Sequence, residues 1–237
     1  MKRGARIVAS LRPSACSRSS AQRFLGYPEV VNASRSPDVI GLCAPTHKAR
    51  LAGLFYLGIF IMAPSGASTA TPANLAITLT CDVAVAWLLY DVLRPVSRTL
   101  SMLAALFRIF FVIIMASTAL SYFGYLHGLA DSRSAARFDL GYAIALAPFA
   151  VHCVLIGLLI MRSIFLPRVL GMLVLIAGLA YLIFFWPTLG QKLFFPYFVI
   201  PAVLGEGSLT LWLLIMGVNS DRWREQARQS KNAPRAD

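Results

Sequence analysis

The chain has 237 residues, of which 58% are hydrophobic and only 14% charged, and its mean hydropathy is +0.69. That excludes an ordinary soluble domain, whose apolar and charged fractions are far closer to balance. The net charge of +12 would suit a nucleic-acid binder. Here the basic residues flank apolar stretches, which makes them orientation signals for a membrane and a weak attraction for anionic headgroups.

In chain order, residues 1–46 form a basic Arg/Ser-rich segment with no helical apolar period. Such a composition buries too little apolar surface to offset chain entropy, so a disordered cytoplasmic tail is expected. Translation from an upstream start is the alternative. No secretory apolar region follows Met1, although an Arg- and Ser-rich, acid-poor segment resembles a transit peptide in composition. Residues 47–219 read as a six-helix transmembrane domain, since crossing a hydrocarbon core of ~30 Å takes about 20 apolar residues in helix.

The first span starts at Leu51 and runs to about Ala70, with Pro64 as a point where it ends, kinks or re-enters. The second runs from Asn74 to Leu93, stopped by Arg94-Pro95, because proline disfavours helix in the residue before it. The third covers Leu100–Leu126, the fourth Gly141–Met161, the fifth Val169–Trp186 and the sixth Pro196–Val218. Residues 220–237 read as a charged cytoplasmic tail.

With six spans, eighteen of the 22 Lys and Arg residues fall on one side, three on the other, and Arg108 lies inside the third span. The positive-inside rule then puts both termini in the cytoplasm. The expected architecture is all-α, a polytopic membrane helical bundle.

Several segments carry a resemblance. They are ARLAGLFYL from Ala49 to Leu57, LLY and LRPV between Leu88 and Val96, Phe107-Arg108, HCVLIGLLIMRSIFLPRVLG from His152 to Gly171, and GEGSLTLWLLIMGVN from Gly205 to Asn219. Together they resemble the bacterial integral membrane proteins grouped as domain of unknown function 4386, over roughly residues 46–219. The resemblance implies a helical protein of the bacterial inner (plasma) membrane with no established activity.

Four ionisable residues lie well inside predicted spans: Asp82, Arg108, His152 and Glu206, each on a different helix. A charge at the bilayer centre costs at least ~2.5–3.5 kcal/mol, so such residues face the bundle interior and find partners. By the rise per residue, Asp82 lies about 18 Å from Arg94, Arg108 about 15 Å from Arg98, His152 about 15 Å from Arg162, and Glu206 about 20 Å from Asn219. The four therefore share a layer near the midplane, and one polar intramembrane cluster is expected. Arg108 offsets only one of the two carboxylates. A protonated His152, a protonated carboxylate or a bound cation would restore the balance.

Pro148 and Pro201 lie close to this layer, and with Pro64 they are the helix-kink candidates, since proline removes a helical hydrogen bond. Broken helices at midplane polar groups build substrate and ion sites in transporters. The same residues also serve as ordinary interhelical glue, so two functional readings stand side by side. One is a small ion-coupled transporter with a proton, ion or ligand site. The other is a non-enzymatic membrane subunit or sensor.

An intramembrane enzyme lacks support. Cys153 adjoins His152, but neighbouring helix positions point about 100° apart. No catalytic motif is found. Cys16, Cys43, Cys81 and Cys153 form no CxxC pair, and Asp82 with His152 makes only two metal ligands, so neither a metal nor a cofactor is expected. The expected partners are the lipid bilayer and a homo-oligomer or membrane partner, with no nucleic acid.

Overall fold

The structure is a computed structural model. It describes residues 44–63, 69–126, 134–193, 197 and 199–232. The basic segment expected at residues 1–46 lies almost wholly outside these, as does Pro64. The described residues are helical and carry no strand, so the fold is all-α.

Helix α1, Pro45–Met62, opens with proline in its first turn, where a missing N–H costs nothing. It ends at Ala63, whose ψ of 126° is extended, as expected for a residue that precedes proline. It thus starts earlier than expected and stops at the first half of the predicted span. Helix α2, Pro72–Leu93, starts from a capping box: Asn74 N donates to Thr71 Oγ1 at 3.2 Å, and Thr71 N donates to Asn74 Oδ1 at 2.9 Å.

Helix α3 is Arg98–Leu126 and α4 is Ser134–Arg162. The latter takes in Arg137 and Asp139, which the apolar pattern had left to the preceding loop. Pro148 sits inside α4. Helix α5, Arg168–Tyr181, tightens into a 3-10 turn over Leu182–Phe185, and the short α6, Pro187–Lys192, follows. Helix α7 is Val199–Ile215. Pro201 lies near the described start of α7.

The charged tail is also helical. Helix α8, Ser220–Asn232, lies at 106° to α7. Asn219 caps it, its Oδ1 accepting from Asp221 N and Arg222 N at 3.1 Å.

The six long helices pack in a closed ring, in the order α1–α2–α3–α4–α5–α7 and back to α1. Each touches its chain neighbours, and α1 against α7 closes the ring. At that seam Gly53 is required, because a Cβ there would stand 2.6 Å from the backbone N of Leu214. Among the described residues, α2, α3, α4 and α5 with its 3-10 turn are long and apolar enough to cross a membrane, and the bent pair α7–α8 raises the number to five; the second half of the expected first span, from Pro64, lies mostly outside those residues. Helix α1 falls short because its first turns carry His47, Lys48 and Arg50.

The packing is inside out relative to a soluble protein. Leu54, Trp87, Leu120 and Ile176 face outward, Leu120 with 77% of its surface exposed, while Arg108, Asp82 and His152 are buried inside. An apolar rim around a polar interior identifies a membrane protein.

At one end of the ring, Thr46 Oγ1 donates to Val218 O at 2.8 Å, and Lys48 and Arg94 pair with Asp91. Trp223 Nε1 of α8 donates to Val92 O at 2.8 Å, and Ile164 N donates to Gln226 Oε1 at 3.1 Å. Gly217, with φ of 68°, turns the chain from α7 into α8. The start of α1, the end of α7 and the loops after α2 and α4 are therefore stitched together. The opposite end carries Ala63, Thr71 and the α5–α6 turn.

Candidate functional site

The interior is built from one buried stripe per helix. On α3 it comprises Ser101, Ala104, Arg108, Phe111 and Met115, spaced three and four apart as one helical face requires. On α2 it runs Leu75, Thr78, Asp82, Val85 and Leu89. Small residues along the stripes bring the backbones close enough for a single side chain to reach several helices.

Arg108, at 0% exposure, is the hub. Its Nε and Nη2 donate to Asp82 Oδ1 of α2 at 2.9 and 2.6 Å. Its Nη1 donates to Tyr56 Oη of α1 at 2.6 Å and lies 3.1 Å from His152 Nε2 of α4. The guanidinium carbon sits 4.6 Å from the centre of the Tyr56 ring and 5.3 Å from that of Phe149, which adds cation–π attraction in a dry setting. One arginine thus ties together four consecutive helices of the ring.

This geometry assigns the state of His152. Arginine can only donate, so Nε2 accepts from Arg108, and Nδ1 carries the hydrogen and donates to Ala104 O at 2.8 Å. His152 is therefore the neutral tautomer, and the protonated form that the charge balance had left open is removed. Phe149 stacks beside it at 5.6 Å.

Glu206 of α7 is held differently. Tyr181 Oη of α5 donates to its Oε1, and its own backbone carbonyl accepts from Thr210 Oγ1 at 2.7 Å. Arg108 spends its bonds on Asp82, not Glu206. The expected cluster therefore falls into two networks, Asp82–Arg108–His152–Tyr56 and Glu206–Tyr181.

Both networks face one cavity of about 170 Å³. Its floor is Tyr56, Asp82, Arg108, Phe149, Tyr181 and Glu206; its walls rise through Thr78, Leu79, Met115 and Tyr142 to Phe60 and Ala63. Phe60 and Ala63 are exposed. Asp82 is 2% exposed, and its Oδ2 accepts no hydrogen bond among the described residues. A buried acceptor left unmatched costs about 1–3 kcal/mol, more when charged.

Tyr56 and Tyr181 are the site residues that depth reasoning missed. A tyrosine hydroxyl inside hydrocarbon needs a partner, and that requirement was the available signal. Among the described residues, no group of three His, Cys, Asp or Glu is placed to hold a metal. Cys153 is buried beside His152 and unpaired, as Cys81 is unpaired on α2.

Residues 69–217 match the family described as Domain of unknown function (DUF4386). The match takes in Asp82, Arg108, His152 and Glu206; α1, with Tyr56, lies before it. The chain is similar to an uncharacterized protein of Archaeoglobus fulgidus, 38% identical over 136 residues, which is 57% of this chain and 76% of that protein. No solved structure matches the chain. This helical membrane bundle with a buried polar interior belongs to the domain of unknown function family DUF4386.

Proposed function

We propose that this protein is a non-enzymatic, ion-coupled carrier in the bacterial plasma membrane, whose cavity above Arg108 holds a proton and a small solute in turn. The observation that carries the reading is Asp82 Oδ2, buried without a donor among the described residues on the same cavity as Glu206. Two carboxylates with one guanidinium leave one carboxylate in excess, since His152 is neutral. A low-dielectric interior disfavours net charge, so a proton or a cation restores the balance. The stitched end, which gathers Lys48, Arg94, Arg98, Arg162 and Arg168, is assigned to the cytoplasm by the positive-inside rule. The cavity then reaches toward the outer side.

Glu206 is the proton carrier in this reading. The groups around it are Tyr181 of α5, Tyr142 of α4, Asp82 of α2, Arg108 of α3 and Tyr56 of α1, all on the cavity wall. Infrared difference spectroscopy between neutral and alkaline pH, in lipid, tests it. A protonated-carboxyl band that is present at neutral pH, is lost on alkalinisation and is absent from Glu206→Gln is expected. A wild-type spectrum with no titrating carboxyl band would overturn the reading.

A second reading, a purely structural subunit, draws on the four-helix network of Arg108. It does not explain why Asp82 keeps an unmatched oxygen on a cavity.

A further inference from the structure

We infer that the solute is a small monovalent organic cation, bound in exchange for one proton. The inference rests on the reading of the cavity as a binding site.

Three observations point to this class. The first is charge. The partnerless Asp82 Oδ2 and the carboxylate of Glu206 both belong to the cavity, and Arg108 matches only one of them. The excess is a single carboxylate, so one monovalent cation balances it and a divalent one overshoots. An anion is disfavoured from the other direction. Every nitrogen of Arg108 is engaged by Asp82, Tyr56 or His152, and the side chain has 0% exposure, so it has little left to offer an anion.

The second observation is the aromatic wall. Arg108 itself shows how the interior treats a weakly hydrated cation, which lies over the rings of Tyr56 and Phe149. Above it the lining continues with Phe111, Tyr142, Tyr181 and Phe60. Ring faces attract organic ammonium groups without demanding hydrogen bonds. A small inorganic ion would want a full oxygen shell, which two carboxylates among phenyl and phenol rings do not supply.

The third is size. A volume of about 170 Å³ is slightly above the ~150 Å³ of an engineered pocket that takes benzene. That admits a compact organic ion and excludes a peptide or a lipid tail.

The exchange is balanced in charge. With the cavity empty of solute, Glu206 carries the proton. When the cation enters, the proton leaves to the medium, and the interior keeps the same net charge in both states.

The test uses the purified full chain in weakly buffered detergent, with tetramethylammonium chloride as probe and sodium chloride at equal ionic strength as control. Tetramethylammonium carries no exchangeable proton, so any proton released comes from the protein. The expected result is a saturable rise in the unfolding midpoint with release of about one proton per bound cation. Neutral tert-butanol and anionic pivalate should give neither.

Glu206→Gln should lose the proton release. Should that variant not fold, Leu79→Trp fills the cavity without touching a charge and should lose both effects. Equal stabilisation by tert-butanol, any stabilisation by pivalate, no effect of tetramethylammonium, a rise without proton release, or a full effect in Leu79→Trp would each overturn the inference. If tetramethylammonium fails while the infrared carboxyl band still titrates, the cation class falls and the proton-binding carrier stands. If the band is absent, the carrier itself falls.

Discussion

The basic-loop end of the ring and its cavity-lined interior are built on different principles. At the end carrying the basic loops, side chains reach across the chain to tie α1, α7, α8 and the loops after α2 and α4 together. Deeper in the ring, the helices enclose a cavity whose lining runs from exposed Ala63 to buried Asp82. The first region is held by contacts between segments far apart in the chain, whereas the second keeps a buried carboxylate oxygen with no donor among the described residues.

The sharpest way to break the comparison is to remove the floor. Arg108→Leu leaves Asp82 buried and uncompensated, a loss of about 3–5 kcal/mol for a broken buried pair. Folded protein should largely disappear from size-exclusion profiles. The double variant Asp82→Leu with Arg108→Leu should recover much of it, because two apolar residues leave no charge stranded. A single variant as well folded as wild type would show that Arg108 is not the hub.

Next in size is the seam that closes the ring. Gly53→Ala drives a Cβ to 2.6 Å from Leu214 N, so the backbones of α1 and α7 must part. Overpacking of this kind costs about 1–3 kcal/mol and should lower the thermal midpoint.

At the stitched end, Trp223→Phe keeps the ring but removes the donor to Val92 O. A loss of about 1 kcal/mol is expected, read as faster hydrogen exchange around the loop after α2. At the cavity rim, Ala63→Ser should change stability by less than ~0.5 kcal/mol, as for an exposed site. A loss at Ala63 as large as at Trp223 would erase the contrast between the two regions.

Much of this was legible before the structure. The ends of α2 and α3 follow from Arg94-Pro95 and the apolar runs. The burial of Asp82, Arg108, His152 and Glu206 follows from the cost of charge in hydrocarbon. Their partnership was only partly legible, because depth is set by the rise of each helix, whereas contact depends on the order of helices around the ring. That order places Arg108 against α2 and α4 and leaves Glu206 to Tyr181 of neighbouring α5. Tyr56 was hidden for a related reason, since tyrosines are common in membrane helices and only the ring closure brings α1 to the hub. Helix α8 was read as a plain tail because its anchoring rests on Trp223 and Gln226 amid charged residues, too sparse for an apolar period.

The central claim is that the excess carboxylate is kept for binding and not for packing. Glu206→Gln tests it most directly, since the swap preserves size and a partner for Tyr181 while removing the charge. Thermal unfolding of wild type and variant would be compared in the same detergent. A variant as stable as wild type, or more so, is the result this account predicts. A variant that unfolds far earlier, or is lost on purification, would contradict it and make Glu206 a structural element of the bundle.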